Sequence, residues 1–460
     1  MQPLTLLIAS IASILVLFLS PIYGLIVYIA TISLYPEYLT VPVGTIDFTV
    51  GKIAIVVIFA KLFLLTDLPN RFKFIWLDKI VIMYFIAQIV AGATNPTSLG
   101  AFLENRAGAV FNMVLPYFAV RMIVRNKQQY LILLKWILII AAPLAIVGFY
   151  ECLTGNNPVG FLRKYNAWRT LTGVPIDDTP WVRYGFFRAN VTFSHPIMYG
   201  LFFATFCPAC AGILAHVKKY KMLYWTGLGL MGVGVFSSMS AGPWLTTLLV
   251  VPFIAFYRWR KYWKPVVISI IVICGLVEII SNRHFYDVLS DFSFNTANAW
   301  YRSRLIDVAL FEGGMSGHWL FGYNVDPGWG RRINGLPYTD FVNQYLAILG
   351  RFGLVSFLPF LAMNVAAIKK LVDGFKVSFL ESDRWLIWCL AAVFFGLAGA
   401  FMTVSIYGPP ATIYYMMIAF AGVIPAIVTK QDSRRKTGTD ATLLHSDKSI
   451  LLSNGLQNNS

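Results

Sequence analysis

Apolar runs succeed one another along almost the whole chain. They lie at 5–19, 22–34, 51–65, 75–90, 107–124, 130–150, 193–215, 223–236, 243–256, 266–280, 341–368, 385–404 and 410–428. A helix needs about 20 mostly apolar residues to cross a bilayer. Inside hydrocarbon, only helices and closed barrels satisfy every backbone polar group. The runs therefore predict an all-α chain, a polytopic helical bundle with about 12–13 transmembrane helices by that length rule. The first two runs are short and meet at Ser20 and Pro21, so they read as one broken element or as two. Charged residues make up only 13% of the 460 residues, against roughly 25% in a soluble domain. The N-terminus lacks a basic segment followed by a small-residue cleavage site, so no removable signal peptide is expected. Residues 1–428 read as a single membrane domain. Residues 429–460 are polar and rich in Ser, Thr, Asn and Asp, which predicts a disordered cytoplasmic tail.

Lysine and arginine near helix ends set the expected orientation. Lys218, Lys219 and Lys221 form one cluster; Arg258, Arg260, Lys261 and Lys264 form a second. Lys369, Lys370 and Lys376 form a third, and Arg434, Arg435 and Lys436 a fourth. Alternating through the runs, all four fall on one side, which is read as cytoplasmic. Two long polar loops, 151–192 and 281–340, then face outward. The second holds Arg283, Arg302, Arg304, Arg331 and Arg332 with no lysine. The first holds Arg163, Arg169, Arg183 and Arg188 with only Lys164. Lysine suffices for orientation. The planar fork of arginine suits bidentate contact with phosphate, although pairing with loop acids such as Asp307 and Glu312 is the plainer use.

Other classes find little support. The net charge of +16 is spread over helix ends on both faces, so nucleic acid is not an expected partner. Cys207, Cys210, Cys274 and Cys389 lie inside apolar runs and Cys152 sits alone at an edge, which implies packing and no disulfide framework. His and carboxylate spacing gives no metal motif, and there is no phosphate-binding glycine loop of the Walker type. No metal or cofactor is expected.

Four stretches of the chain, the third in two parts, carry polar chemistry near the outer ends of runs. RANVTFSHPIMYG, at 188–200, places Arg188 and His195 just outside a span, with Pro196 suited to start a helix. SSMSAGPW, at 237–244, reads as a tight helix-hairpin turn. Residues 298–311 read as an amphipathic helix with Trp300, Ile306, Leu310 and Phe311 as its apolar stripe. Arg302 and Arg304 lie in its first half, near the positive end of the dipole, a poor place for arginine unless an anion binds there. GHWLFGYNVDPGWG, at 317–330, brings His318 and aromatic faces that suit a sugar ring or plain loop packing. TDFVNQYLAILGRFGL, at 339–354, brings Asp340 and Asn343 to the mouth of the next span.

In this order the four segments resemble the O-antigen ligase/polymerase superfamily of bacterial membrane glycosyltransferases. The first is similar to its Arg…Thr-Phe-x-His-Pro-Asn…Gly stretch, with Ile197 in place of Asn. SSMSAGPW is similar to a Ser-Arg-Gly-type turn, with Ala241 where arginine is common. Arg302-Ser303-Arg304-Leu305 followed by WLFGYN resembles its Arg and Pro/Trp-Leu-Phe-Gly-x-Gly. Asn343-Gln344-Tyr345-Leu346 with Gly353-Leu354 resembles its His-Asn-x-Tyr-Leu…Gly-Leu. The motifs cover 188–357, and the topology covers the chain.

The resemblance implies a GT-C-like fold in the bacterial inner membrane, with a large periplasmic loop and a site facing the periplasm. It implies metal-independent transfer from a polyprenyl-diphosphate-linked glycan to a glycan acceptor, with membrane lipid and chain-length-regulator or export proteins as further partners. Arginines would neutralise the leaving diphosphate. Arg188 and Arg302 would be catalytic, and Arg183, Arg304, His195, His318 and Asn343 would bind substrate. The ligase-type histidine falls at Val342 here. That favours a polymerase of lipid-linked repeat units and leaves the general base open, with Asp340 the first choice and His318 the second. The alternative within the class is a ligase that moves glycan to lipid A core or protein. A transporter or flippase would be expected to show inverted repeats and polar residues at mid-membrane, and neither is evident.

Overall fold

The structure, a computed structural model, describes residues 2–44, 46–94, 98–165, 181–280 and 296–429; for 263–264, 266–267, 270–271, 274 and 296–299 it describes the backbone alone. Arg169, Arg283 and the tail at 430–460 lie outside the described residues. The described chain is predominantly helical, with two short hairpins. The helices are α1 (Gln2–Phe18), α2 (Pro21–Leu34), α3 (Val50–Leu65), α4 (Trp76–Thr94) and α5 (Leu99–Ala109). One wide turn at Val110–Val114 joins α5 to α6 (Leu115–Ile123). Then come α7 (Lys127–Thr154), α8 (Pro196–Ala211), α9 (Lys221–Ser237), α10 (Ala241–Ala255) and α11 (Trp263–Ile280). The last four are α12 (Thr296–Ile306), α13 (Gln344–Val377), α14 (Glu381–Ala400) and α15 (Gly408–Thr429).

Each of the thirteen apolar runs lies in a helix. Seven segments are long and apolar enough to cross a membrane: α4, α7, α8 with its last turn, α10 with its extension to Tyr262, α13, α14 and α15. Others fall short of the length needed for a span, since α1 has 17 residues, α2 has 14 and α3 has 16. The chain is thus a membrane bundle by composition and length, with seven full-length helices and several shorter ones beside them. The first two runs are separate elements. α2 turns back at Pro21 and packs along α1, with Gly24 against Val16. The exposed end of α1 is closed from α3, where Lys61 Nζ donates to the carbonyls of Val16, Leu17 and Leu19.

α8 is the centre of the bundle, packed against α7, α9, α10 and α14. The Tyr199 hydroxyl lies over Gly148 and donates to Leu144 O at 3.1 Å, so α7 and α8 touch backbone to side chain. A capping box at Asn126 and Gln129 starts α7, and Gly155, at φ +74°, ends it.

Polar contacts gather at two ends. At one, Lys127 meets the fully buried Asp383 at 2.9 Å with His216 beside it, and Tyr257 donates to Glu381 at 2.7 Å. The clusters at 218–221, 258–264 and 369–376 lie at or just after the ends of helices that finish here. At the other, the connections after α2, α7, α9, α12 and α14 meet: Thr192 donates to Ser33 O, Ser194 to Glu37, and Gln344 N–H to Phe401 O.

α13 is broken inside its span. Gly353 sits at φ +63°, ψ −169°, a backbone region open to glycine alone. The break frees the carbonyls of Gly350 and Arg351 and the N–H groups of Leu354 and Val355. The 319–324 segment fills it. Tyr323 N–H and Asn324 N–H donate to Gly350 O and Arg351 O at 2.8 and 2.7 Å, and Trp319 O and Leu320 O accept from Leu354 and Val355. A Cβ on Gly322 would lie 2.5 Å from the carbonyl carbon of Arg351, so this wedge of backbone needs glycine on both sides. The glycine-aromatic motif thus packs a helix break.

The amphipathic segment differs from its sequence reading. α12 runs into a wide turn at Asp307–Phe311, and its buried face is Leu305, Val308 and Ala309, with Tyr301 partly covered. Trp300, Leu310 and Phe311 are exposed. The spacing of Tyr301, Leu305 and Val308 is also helical, and it is this stripe that meets Trp329, Phe341 and Met315.

Candidate active site

The loop before α8 is held as a frame for its side chains. Glu151, at the end of α7, accepts the N–H groups of Asn190 and Val191 at 3.1 and 2.9 Å, and Ala189 N–H donates to Ser237 O. Arg163 bonds Asn190 Oδ1 and lies 3.6 Å from Glu151, so it braces the same loop. A tight hairpin, β1 at Val182–Arg183 and β2 at Phe186–Phe187, turns through Tyr184 and Gly185, both at positive φ, and lifts Arg183 beside the loop.

Two guanidiniums then reach the turn between α9 and α10. Arg188 Nη2 donates to Ser240 Oγ at 3.0 Å and Arg183 Nη1 donates to Met239 O at 3.1 Å. Met239 has φ +43°, and this strained turn aims its carbonyl outward. SSMSAGPW is a helix-hairpin turn, as its small residues suggest, and it also supplies acceptors. Arg188 lies over Trp181 at 5.6 Å, and Trp181 packs on His195 at 4.8 Å.

Arg302 enters from α12. Arg183 is close enough to repel both Arg188 and Arg302, so the three positive charges form one group. Burial first, and then Arg183, brings Arg188 down to about 10 and holds Arg302 below its ordinary value, though both stay protonated at neutral pH. The Nε–H groups of Arg188 and Arg302 are buried without a hydrogen-bond partner among the described residues. Holding buried cations together is costly, and a bound anion would relieve that cost.

His195 caps α8, its Nδ1 accepting Ile197 N–H at 3.1 Å. Burial, Arg188 and Arg183 push its pKa down to about 3. The ring is therefore neutral with its proton on Nε2, and the positive charge of the group comes from arginine alone. An imidazole that charges at pH 6.5 when unfolded and at about 3 when folded binds fewer protons folded, so stability falls as pH drops through that window. Replacing His195 by asparagine keeps a capping side chain. We expect His195→Asn to melt with less acid sensitivity than the parent between pH 7 and about pH 4 in detergent. An unchanged slope of melting temperature against pH would refute this.

Asp340 lies beside Arg302, which lowers its proton affinity while burial raises it, burial being the larger effect. Its N–H donates to Tyr301 Oη at 3.1 Å. It neither caps nor joins the next helix. α13 begins at Gln344, and its cap is Asn343, whose Oδ1 accepts Leu346 N–H. Residues 339–343 are non-helical because Asn343 Nδ2 and Gln344 N–H are tied to the α14–α15 connection, at Met402 O and Phe401 O. Both ends of the Asn343 amide are thereby used structurally.

The remaining sequence candidates lie elsewhere. Arg304 pairs with Glu312 at 2.6 Å and with Asp307 at 3.5 Å on an exposed surface. His318 stacks on Tyr323 at 3.8 Å within the wedge, and Arg332 donates to Glu312 O. The structure thus brings together Arg183, Arg188, His195, Arg302 and Asp340, and sets Arg304, His318 and Asn343 to other contacts.

Sequence reasoning missed Glu37, Ser194 and Tyr407. Ser194 Oγ donates to Glu37 Oε1 at 2.6 Å, and Tyr407 lies near enough for Glu37 and Asp340 to act on its hydroxyl. Their signal was adjacency to His195 for Ser194 and, for Glu37, a lone acid in the short connection after α2. Among the described residues no group of three or more His, Cys, Asp or Glu side chains could hold a metal ion. Compared with known families and with curated proteins, the chain matches no family model and no curated sequence.

Proposed function

We propose that this protein polymerises polyprenyl-diphosphate-linked oligosaccharide units by metal-independent glycosyl transfer at the periplasmic face of a bacterial inner membrane. The observation that supports the reading is the gathering of Arg183, Arg188 and Arg302 around a neutral histidine, with two buried Nε–H groups unpartnered. Such a group suits a diphosphate, which carries several negative charges and departs readily when they are stabilised. The lysine-rich clusters near the opposite end support an orientation with the arginines outside the cytoplasm. Seven full-length apolar helices supply walls for a prenyl chain. Asp340, beside Arg302, keeps part of the charge balanced when no donor is bound.

The test is the lipid-linked glycan profile of a strain lacking the protein. Accumulated single units support a polymerase. Long unattached chains would mean a ligase, and an unchanged profile would exclude both.

A further inference from the structure

A cavity of about 250 Å³ has Glu37 in its wall, and Glu37 is bonded to Ser194, the residue before His195. α2, α3, the turn between α5 and α6, and the start of α15 form its walls. Its polar lining includes Glu37, Lys52, Asn112, Tyr35, Tyr407 and Thr412. Glu37 is seated with care. One oxygen accepts Ser194 Oγ–H at 2.6 Å, and a Cβ on Gly408 would lie 2.3 Å from the other. Gly408, at φ +59°, leaves room for a carboxylate and for nothing larger. The link to the arginines is short. Ser194 precedes His195 in the chain, and Tyr407, which also lines the cavity, feels the charges of both Glu37 and Asp340.

We propose that this cavity is the acceptor-sugar subsite and that Glu37 is the catalytic base. The inference rests on the glycosyl-transfer reading above. An acceptor sugar presents hydroxyls, and a cavity of carboxylate, ammonium, amide and phenol groups offers them donors and acceptors on every side. In the step, the acceptor O–H bond breaks and its oxygen bonds the anomeric carbon of the donor. The bond from that carbon to the diphosphate oxygen breaks, and its electron pair leaves on polyprenyl diphosphate, held by the arginines. The proton passes to Glu37. Two carboxylates are candidates for the base, and they differ in position. Burial raises the proton affinity of both, more than Arg302 lowers that of Asp340 and more than Ser194 and Lys52 lower that of Glu37. Glu37 lines the cavity, whereas Asp340 is not among its lining residues.

Purified protein in detergent separates this inference from the reading beneath it. The probes are polyprenyl diphosphate, read as a thermal shift, and lipid-linked glycan extracted from the deletion strain, read as chain extension. Glu37→Gln should keep the thermal shift and lose chain extension by about 10²–10⁴-fold, the range for a lost base. Asn112→Leu, at the far wall, should raise KM for the glycan more than it lowers kcat. That variant decides the matter alone if Glu37→Gln does not fold. If both variants extend chains as the parent does while Arg188→Ala loses the shift, the acceptor subsite is wrong and the donor site stands. Loss of extension in Asp340→Asn with full extension in Glu37→Gln would likewise move the base away from Glu37. A parent protein that shows neither shift nor extension removes the glycosyl-transfer reading, and this inference with it.

Discussion

Arg188→Ala should lower chain extension by about 10²–10³-fold at matched protein level, the loss seen when one preorganised donor to a developing anion is removed. That corresponds to roughly 2.7–4 kcal/mol of transition-state stabilisation. The argument is local. Arg188 is half-buried, anchored by Ser240 and Trp181, and carries an unpartnered Nε–H, so its geometry is set before any ligand arrives. Arg188→Lys should fail nearly as badly, because an ammonium cannot keep the Ser240 bond and present a second planar donor at once. Arg302→Ala should behave like Arg188→Ala. Arg304→Ala should not, since its charge is spent on Glu312 and Asp307 at the surface, where such pairs contribute about 0–1 kcal/mol. Polymer length on a gel, with protein level checked by blot, reads all four. Normal polymer from both Arg188→Ala and Arg302→Ala would mean that the arginine group is not the diphosphate site.

Gly353→Ala should have the largest effect on assembly. The residue occupies a glycine-only conformation that costs a side chain about 1–3 kcal/mol. A Cβ there would also lie 2.3 Å from Leu320 O. Relief requires the wedge to withdraw, which strands four backbone groups in a setting where each unsatisfied group costs several kcal/mol. Gly322→Ala attacks the same contact from the other side. The double variant should therefore lose less than the sum of the single losses, since either change alone dislodges the wedge. Melting in detergent and in-cell protein level measure this. Full additivity would mean that the two glycines act separately.

Much of the scaffold could be read from the chain because an apolar run has one answer in hydrocarbon. Every run became a helix, and Pro196 opened α8 behind its cap as its fixed φ favours. Run length alone could not tell a full span from a short helix packed beside others. Nor could it show that α1 and α2 fold back on each other, which depends on Lys61 some forty residues away. The arginines were legible because a lysine-poor basic loop is unusual. For Arg304 the plainer use holds: it pairs with the loop acids Glu312 and Asp307, the former eight residues on across a wide turn. The apolar run begins at Phe341, right after Asp340, yet the tie of Gln344 to Phe401 delays the helix. Glu37 and Ser194 are 157 residues apart, and nothing local in either marks the bond between them.

The broken helix also bears on how the protein is made. At 1.5 Å per residue, the 34 residues of α13 would reach about 50 Å if straight, well beyond a hydrocarbon layer of about 30 Å. Gly350, Arg351 and Gly353 interrupt the apolar stretch and permit a bend, but the groups the bend frees find their partners only in the 319–324 segment. That wedge precedes the helix in the chain, so the bend is completed when the two meet. Membrane topology and completion of the outer end are therefore separate events in biogenesis. A chain with a faulty wedge would insert in the correct orientation, pass any check on threading, and still reach the membrane without an assembled site.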